Sequence, residues 1–320
     1  MGCQESETEE TPNEIMGLIQ FQIEQLHNGD AKFYGDFVVT NVGGSMRFYD
    51  LEGKLVKEYD TIHVNWLDCD IGARVIIYAN ASNQLGFLQL DDNLNIVGDG
   101  ILLESEYLNI DPTICRHPDG TCYVTATEIR GNVNNADKSQ ENGLYTVKLY
   151  KTEDFTHLEY ITDIIQEKAN IEDGDLNYYD EKWYFSYEKE EIDKGNSAVC
   201  VSVSEDKEAA AWSLSTELLK ADADHEPAVF WKEGEGYYLY YSCDKDDPGT
   251  SYSGAKVYKA EFDEELRLVK ETLVSTETQK GILLYDVIMR EGKPYFLYAR
   301  DYLSDCDLVA EYLGAKKQTE

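Results

Sequence analysis

The chain has 320 residues, with 28 Lys and Arg against 63 Asp and Glu, and a formal net charge of −35. That excess of carboxylates would repel phosphate groups, which argues against a nucleic-acid partner and against docking on an anionic membrane surface. A neutral ligand is not penalised in this way, and the length suffices for one large all-β domain.

The N-terminus, MGCQESETEETPNE, places Gly2 and Cys3 before a polar, acidic tract. This stub resembles that of a bacterial lipoprotein, in which a lipid is attached to a cysteine behind a small residue. We therefore expect residues 1–15 to be a flexible tether with Cys3 as the lipid-attachment site, on an extracytoplasmic protein at the cell surface or secreted. An ordinary polar tail on a cytoplasmic protein is the alternative. No run of about 18 apolar residues predicts a membrane-spanning helix, so a lipid anchor would be the contact with a membrane.

After the tether, short apolar or alternating runs separated by Gly and Asp turns predict β-strands, beginning with KFYGDFVVTN and GSMRFYDLEGKLVKEYD. A unit then recurs, formed by a strand with an acid at its start, a turn, and an aromatic strand. Five such units open at Asp68, Asp111, Glu172, Glu226 and Asp286, at intervals of 43 to 61 residues. Each interval has room for four antiparallel strands.

Four-stranded units in tandem predict an all-β fold, a β-propeller with blades around a central channel. We expect five blades, with six as the alternative, in a single domain over residues 16–314 that is followed by a tail over 315–320. Residues 17–62 form a further blade or lend a strand, such as IQFQIEQL, that completes the last one. The best helical candidate is the stretch Glu205–Leu219, as a short helix or loop. We expect a monomer.

The seven cysteines show no CxxC or Cys/His spacing, which argues against a structural zinc site. Cys115 and Cys122 flank the HPDG turn symmetrically. They face each other across a hairpin or, as we prefer, are two free thiols.

The recurring acids suggest chemistry, because the first strand of every blade lines the channel. Repetition then brings carboxylates from different blades to one mouth, where like charges raise each other's pKa and keep one of them protonated. One protonated and one ionised carboxyl group are the minimum machinery of glycoside hydrolysis. The alternative is structural, since Asp is a common residue at strand ends and repeats duplicate it.

A family resemblance adds to this interpretation. IDPTICRHPDGTCYV, HEPAVFWKEGEGYYLYYS and the outer-strand segments LYKTEDFTHLEYI and VSVSEDKEAAAW resemble blade motifs of the five-bladed glycosidases, particularly glycoside hydrolase family 43. The resemblance spans roughly Asp111–Ser242 and continues weakly to Arg300. It implies three carboxylates: a general base, an acid-tuning Asp and a general acid.

Two registers of that resemblance remain open. In the closer one, Asp111 is the base, Asp173 the tuning residue and Glu226 the acid. In the other, Glu172 is the acid, Asp111 the tuning residue, and the base is Asp68 or Asp70. Asp286, at the start of the last unit, is a further alternate.

Other residues are candidates for substrate binding. Trp66 and Trp231 offer flat faces to a sugar ring, and His225 a hydrogen bond, whereas Trp183 is expected to pack between blades. The polar loop Gly131–Gly143 either rims the pocket or is a mobile surface loop.

The sequence therefore predicts a glycoside hydrolase acting on a poly- or oligosaccharide, inverting as the resemblance implies. The alternatives are a non-catalytic carbohydrate-binding propeller at the cell surface and a purely structural or protein-binding propeller. No cofactor is required for this chemistry. The acidic central channel could in addition hold a structural divalent cation such as calcium.

Overall fold

A computed structural model describes residues 17–131, 143–190, 195–248, 252–275, 281–290, 292–302 and 304–313. The predicted tether with Cys3, the tail over 315–320 and most of the loop Gly131–Gly143 lie outside the described residues. Within the described ranges the chain forms 24 strands in six four-stranded antiparallel sheets. No helix in these ranges is long and apolar enough to cross a membrane.

The sheets are the blades of a propeller, and each is built from strands consecutive in sequence. Blade 1 comprises β2 (Asn28–Tyr34), β3 (Phe37–Val42), β4 (Ser45–Asp50) and β5 (Leu55–Tyr59). Blade 2 comprises β6 (Trp66–Asp70), β7 (Val75–Ala79), β8 (Gln84–Leu90) and β9 (Ile96–Glu104). Blade 3 comprises β10 (Leu108–Arg116), β11 (Cys122–Arg130), β12 (Leu144–Thr152) and β13 (Glu159–Glu167).

The second half of the chain repeats this order. Blade 4 comprises β14 (Asn170–Tyr179), β15 (Lys182–Glu190), β16 (Ser197–Ser204) and β17 (Thr216–Ala223). Blade 5 comprises β18 (His225–Glu233), β19 (Gly236–Cys243), β20 (Lys256–Phe262) and β21 (Leu268–Leu273). Blade 6 comprises β22 (Ile282–Arg290), β23 (Lys293–Arg300), β24 (Asp307–Leu313) and the N-terminal strand β1 (Gly17–Ile23).

The expectation of five blades was wrong, and the alternative of six is correct. A further blade and a closing strand were treated as alternatives for residues 17–62, but the chain makes both: β1 pairs antiparallel with β24, and β2–β5 form blade 1. The closure places Phe21 opposite Ala310. The innermost strands contact their neighbours in the order β2, β6, β10, β14, β18, β22 and back to β2, so the ring is complete.

The hydrophobic core lies mainly between blades. Trp183 of blade 4 is fully buried, as expected for a residue that packs between blades, and its ring centroid lies 4.2 Å from that of Tyr123 in blade 3. The helical option for Glu205–Leu219 was wrong, since the segment ends in β17. Cys115 and Cys122 are free thiols. Cys122 pairs with Arg116 and Cys115 with Tyr123, so alternation places the two thiols on opposite faces.

Candidate active site at the channel mouth

Acids at the starts of the blades bind the neighbouring blade. Oδ2 of Asp30 accepts a hydrogen bond from the backbone N–H of Leu67 in blade 2 at 2.8 Å. In the same way Asp68 accepts from Ile114 in blade 3, at 2.8 Å. Since the acceptor and donor belong to different sheets, these bonds join blades that share no strand pairing.

The same connection is found around the rest of the ring. The remaining junctions are Asp111 to the N–H of Asp173 at 3.1 Å, Asp175 to Phe230 at 2.7 Å, Ser242 to Leu284 at 2.9 Å and Asp286 to Phe33 at 2.8 Å. Every one of the six blade junctions therefore has a side-chain oxygen that accepts from the backbone of the next blade. Much of the acid repetition in the sequence is structural.

Blade 5 departs from this pattern in an informative way. Its opening acid, Glu226, lies opposite Ser242 in the strand pairing, and the hydroxyl of Ser242 makes the connection to blade 6. Glu226 is therefore not needed for that connection. In blade 4 the connection is made by Asp175, which leaves Glu172 and Asp173 without that task.

Lys32 lies among three acids that hold blade junctions, Asp30, Asp68 and Asp286, which we call the channel acids. Its ammonium donates to the backbone carbonyl of Tyr285 at 3.2 Å. Burial opposes the charged form of Lys32, but Asp68, Asp286 and Asp30 outweigh it and raise the pKa of the ammonium. Burial, only partly offset by Lys32, raises the pKa of Asp68 to about 7. The channel acids thus surround a cation that the chain itself supplies.

Three alternates from the sequence lie outside the pocket described below. Asp68 and Asp286 hold blade junctions beside Lys32 and do not line the pocket described below. Asp70 accepts from the N–H of Ala73 at 2.6 Å, in the turn at the far end of β6. The register that takes its base from Asp68 or Asp70 therefore lacks a base in the pocket.

A pocket of about 220 Å³ opens at the channel mouth, and all six blades contribute to its lining. Asp111, Asp173 and Glu226 line it, together with Asp30, Glu172 and Lys32. The structure thus brings the three carboxylates of the closer register into one cavity. Glu172 also borders it and lies opposite Glu188 in the pairing of β14 with β15.

Asp111 and Asp173 adopt a backbone conformation that is uncommon for residues with a side chain. Their φ angles are 43° and 50°, in the left-handed region, and each lies in a β-bulge of the innermost strand of its blade. Such conformations cost free energy and persist where the surrounding structure imposes them, commonly at functional sites. In each of these two strands the bulge turns the acidic side chain toward the pocket.

Glu226 is the buried member of the trio. It is 6% exposed, and its Oε1 accepts a hydrogen bond from the hydroxyl of Tyr252. Burial, followed by the charges of Asp173 and Glu188, raises the pKa of Glu226 well above its usual range. Carboxylate oxygens of Asp173, Glu188 and Glu226 lie within 4.8 Å of one another. A proton held on Glu226 relieves the repulsion in this group.

Asp111 contacts Asp173 through the backbone of that residue. Burial, followed by the charge of Asp173, raises the pKa of Asp111 well above its usual range, and Lys32 opposes that rise. Asp111 accepts from the backbone N–H of Asp173, whereas Glu226 approaches the side chain of Asp173. Asp173 therefore lies close to two carboxyl groups whose pKa values are both raised.

The remaining predicted substrate residues divide into two groups. Trp66 lines the pocket, near Tyr252 and Tyr302, whose ring centroids are 6.0 Å apart. Trp231 does not line it, because its ring stacks on Tyr240 toward the hairpin end of β18.

His225 is also outside the pocket. It is buried, and Nδ1 donates to the backbone carbonyl of Ser197 at 2.8 Å, which ties β18 to β16. Burial lowers the pKa of His225.

Three site residues were missed in the sequence. Lys32 follows Asp30, the opening acid of blade 1, which was not among the five recurring acids recognised in the sequence. Glu188 lies on the second strand of its blade, opposite Glu172, and the pairing of these strands was the signal that could have indicated it. Tyr252 comes from the loop between β19 and β20, which carries no periodic pattern.

The fold and this cavity define a class: a six-bladed β-propeller with a carboxylate-lined pocket at one mouth of its channel. Neither a protein-family model nor a curated protein matches the sequence.

Solved structures that are similar include an α-L-arabinanase from Penicillium chrysogenum complexed with arabinobiose, at 11% identity over 74% of this chain and 88% of that one, with a TM-score of 0.53. An endo-arabinase from Bacteroides thetaiotaomicron is 10% identical over 80% and 94%, with a TM-score of 0.53. The propeller domain of Cps50 (Swd1) from Myceliophteria thermophila is 12% identical over 93% and 100%, with a TM-score of 0.54. At such identities the likeness shows the propeller fold alone, and membership of family 43 stays a prediction.

Proposed function

We propose that this propeller is a glycoside hydrolase that removes a terminal sugar from an oligo- or polysaccharide. The observation that carries the proposal is the convergence of Asp111, Asp173 and Glu226 in one pocket, with the pKa of both Asp111 and Glu226 raised. The arabinan-degrading propellers among the similar folds support it, since they place such chemistry on the same architecture.

Glu226 is the general acid in this mechanism. A carboxyl group that stays protonated near neutral pH can donate its proton to the glycosidic oxygen as the bond to the anomeric carbon breaks. Asp173, which contacts it, keeps the proton on Glu226 before the reaction by repelling its negative charge. Tyr252 fixes the orientation of the carboxyl group through its hydroxyl.

Asp111 is the general base. In its ionised form it takes a proton from a water molecule as the water oxygen attacks the anomeric carbon from the opposite face. Asp173 and Glu226 are in contact, so they leave no room for a sugar ring between them. Asp111 contacts the backbone of Asp173 and is not part of this close carboxylate group, so we assign it the role of a base that acts through water, hence inversion.

The size of the cavity favours one sugar ring. Its 220 Å³ lies below the range of about 300–1,000 Å³ that is usual for sites of drug-sized ligands. Trp66 offers an aromatic plane to the apolar face of that ring. The polymer would continue from the pocket into solvent, so the product would be a monosaccharide.

The test is a panel of aryl glycosides and plant oligosaccharides, with product analysis and NMR of the first-formed anomer. Glu226→Gln is expected to lower kcat/KM by roughly 10²–10⁴-fold on a natural substrate. The loss should be much smaller on a dinitrophenyl glycoside, whose leaving group needs no proton. Glu233→Gln, at the exposed end of the same strand, is the matched control and should be unaffected.

Two outcomes would contradict the proposal. Equal losses on the natural and dinitrophenyl substrates would remove Glu226 from the role of acid. Sugar binding without turnover across the panel would favour the carbohydrate-binding alternative, which the same pocket supports.

A further inference from the structure

A second group of acids lies behind the pocket, between blades 4 and 5. Glu188 and Glu190 are two residues apart on β15, so they lie on the same face of that strand. Asp224 comes from the link between β17 and β18, and its N–H donates to Oδ1 of Asp244 at 3.1 Å. Carboxylate oxygens of Glu188, Glu190 and Asp224 lie within 4.8 Å of one another.

All three carboxyl groups are withdrawn from solvent. Glu188 is 1% exposed, Glu190 3% and Asp224 4%. Among the described residues, Oε1 of Glu188 has no hydrogen-bond partner. A buried oxygen of this kind is costly, because it has lost water and gained nothing in exchange. It therefore indicates a ligand at this position.

The charges around Glu188 lead to the same conclusion. Glu188 lies opposite Glu172 in the pairing of β14 with β15. Its carboxylate also lies within 4.8 Å of carboxylate oxygens of Glu190 and of Asp173. Three buried carboxylates need either protons or a cation.

We propose that Glu188, Glu190 and Asp224 bind a calcium ion that joins blade 4 to blade 5. The ligands are carboxylate oxygens, which suit a hard cation. Calcium–oxygen distances of about 2.3–2.6 Å allow oxygens around one ion to lie up to about 5 Å apart, which fits this cluster, whereas magnesium needs a tighter shell.

This site differs from the cation expected in the central channel, because the ammonium of Lys32 lies among the channel acids. It also differs from the hydrolytic pocket, which Glu188 does not line, although a carboxylate oxygen of Glu188 lies within 4.8 Å of those of Asp173 and Glu226. The proposal does not rest on glycosidase activity.

The experiment uses the full chain after treatment with EGTA, with no sugar present. Titration with CaCl₂ by isothermal calorimetry should give one site per chain, and saturating Ca²⁺ should raise Tm by several degrees. MgCl₂ should bind at least tenfold more weakly. No binding heat together with an unchanged Tm would overturn the proposal.

Variants locate the ion. Glu190→Gln and Asp224→Asn should each weaken Ca²⁺ binding at least tenfold, whereas the control Glu217→Gln, an exposed acid on blade 4, should bind as the wild type does. Glu190→Gln should also raise Tm of the calcium-free protein, because it removes one of three repelling charges. Unchanged Ca²⁺ affinity in Glu190→Gln and Asp224→Asn would refute the assignment. The assignment would also be refuted if Glu190→Gln folds without calcium but has a lower Tm than the calcium-free wild type.

Discussion

Lys32 compensates the acids that surround it in the channel, so replacing it tests the electrostatic design of the ring. Lys32→Met keeps the length of the side chain and removes its charge. Asp30, Asp68 and Asp286 would then lack their nearest cation while still holding blade junctions. Removing one partner of a buried ion pair costs about 3–5 kcal/mol. We expect the lower end, about 3 kcal/mol at pH 7, because Lys32 retains contact with water in the pocket.

The pH dependence makes this prediction specific. The pKa of Asp68 is raised to about 7 in the folded protein, so the folded state holds this proton more tightly than the unfolded state does. Its contribution to stability therefore falls as pH rises from about 4 to 7. Without Lys32 the channel acids should hold their protons still more tightly. The deficit of Lys32→Met should thus be small near pH 4 and largest above pH 7.

Urea unfolding at several pH values measures this deficit directly. A loss of about 3 kcal/mol corresponds to a drop in Tm of roughly 5 °C for a domain of about 300 residues. Lys220→Met, an exposed lysine on β17, is the control and should change the free energy of unfolding by less than about 0.5 kcal/mol. If Lys32→Met matches that control at pH 7, or shows the same deficit at every pH, the compensation argument is wrong.

Three further predictions concern the pocket and the ring. The pKa values of Asp111 and Glu226 are both raised. Both limbs of the profile of kcat/KM against pH should therefore lie above the pH range in which carboxyl groups usually titrate. Asp111 should set the acidic limb and Glu226 the alkaline limb. Ser242→Ala should lower the free energy of unfolding by about 1–3 kcal/mol in urea titrations, because the buried N–H of Leu284 loses its acceptor. Phe21→Ala should cost about 3–5 kcal/mol in the same assay, because it opens a cavity where β1 packs into blade 6.

Each of these has a control that isolates its cause. Asp111→Asn should abolish the acidic limb of the profile, and persistence of that limb would assign it elsewhere. Ser82→Ala and Glu24→Ala change exposed residues and should leave stability within about 0.5 kcal/mol. Stabilities of Ser242→Ala or Phe21→Ala equal to these controls would contradict the roles of the blade 5–6 junction and of the closing strand.

The fold was predictable from the sequence as far as repetition could show it. Period-2 alternation and acid-opened hairpins identified blades 2 to 6, and the same register brought Asp111, Asp173 and Glu226 together. Blade 1 was only one of two alternatives for residues 17–62, because its opening acid, Asp30, was not included among the recurring acids. The number of blades depended on that one segment.

The division of the acids between structure and chemistry could not be read from the sequence. Asp68 and Glu226 occupy equivalent places in the repeat, yet one holds a junction and the other is released from that task by Ser242. That difference arises from a contact between separate blades. Glu188 approaches Asp173 and Glu226 from a second strand, and Tyr252 lines the pocket from a loop. For neither residue does spacing along the chain indicate this proximity.

The pairing of β1 with β24 has a consequence for how the molecule forms. Phe21 and Ala310 lie opposite each other across the closing pair, although nearly the whole chain separates them. Contacts between such distant positions slow folding, because the intervening chain must be ordered before they form. During synthesis, β1 emerges from the ribosome before the other strands of the ring and must remain unpaired until β24 has been made. In the finished ring, no blade has a free flank from which fraying can start, so loss of the closing pair would expose the edges of β1 and β24 at once.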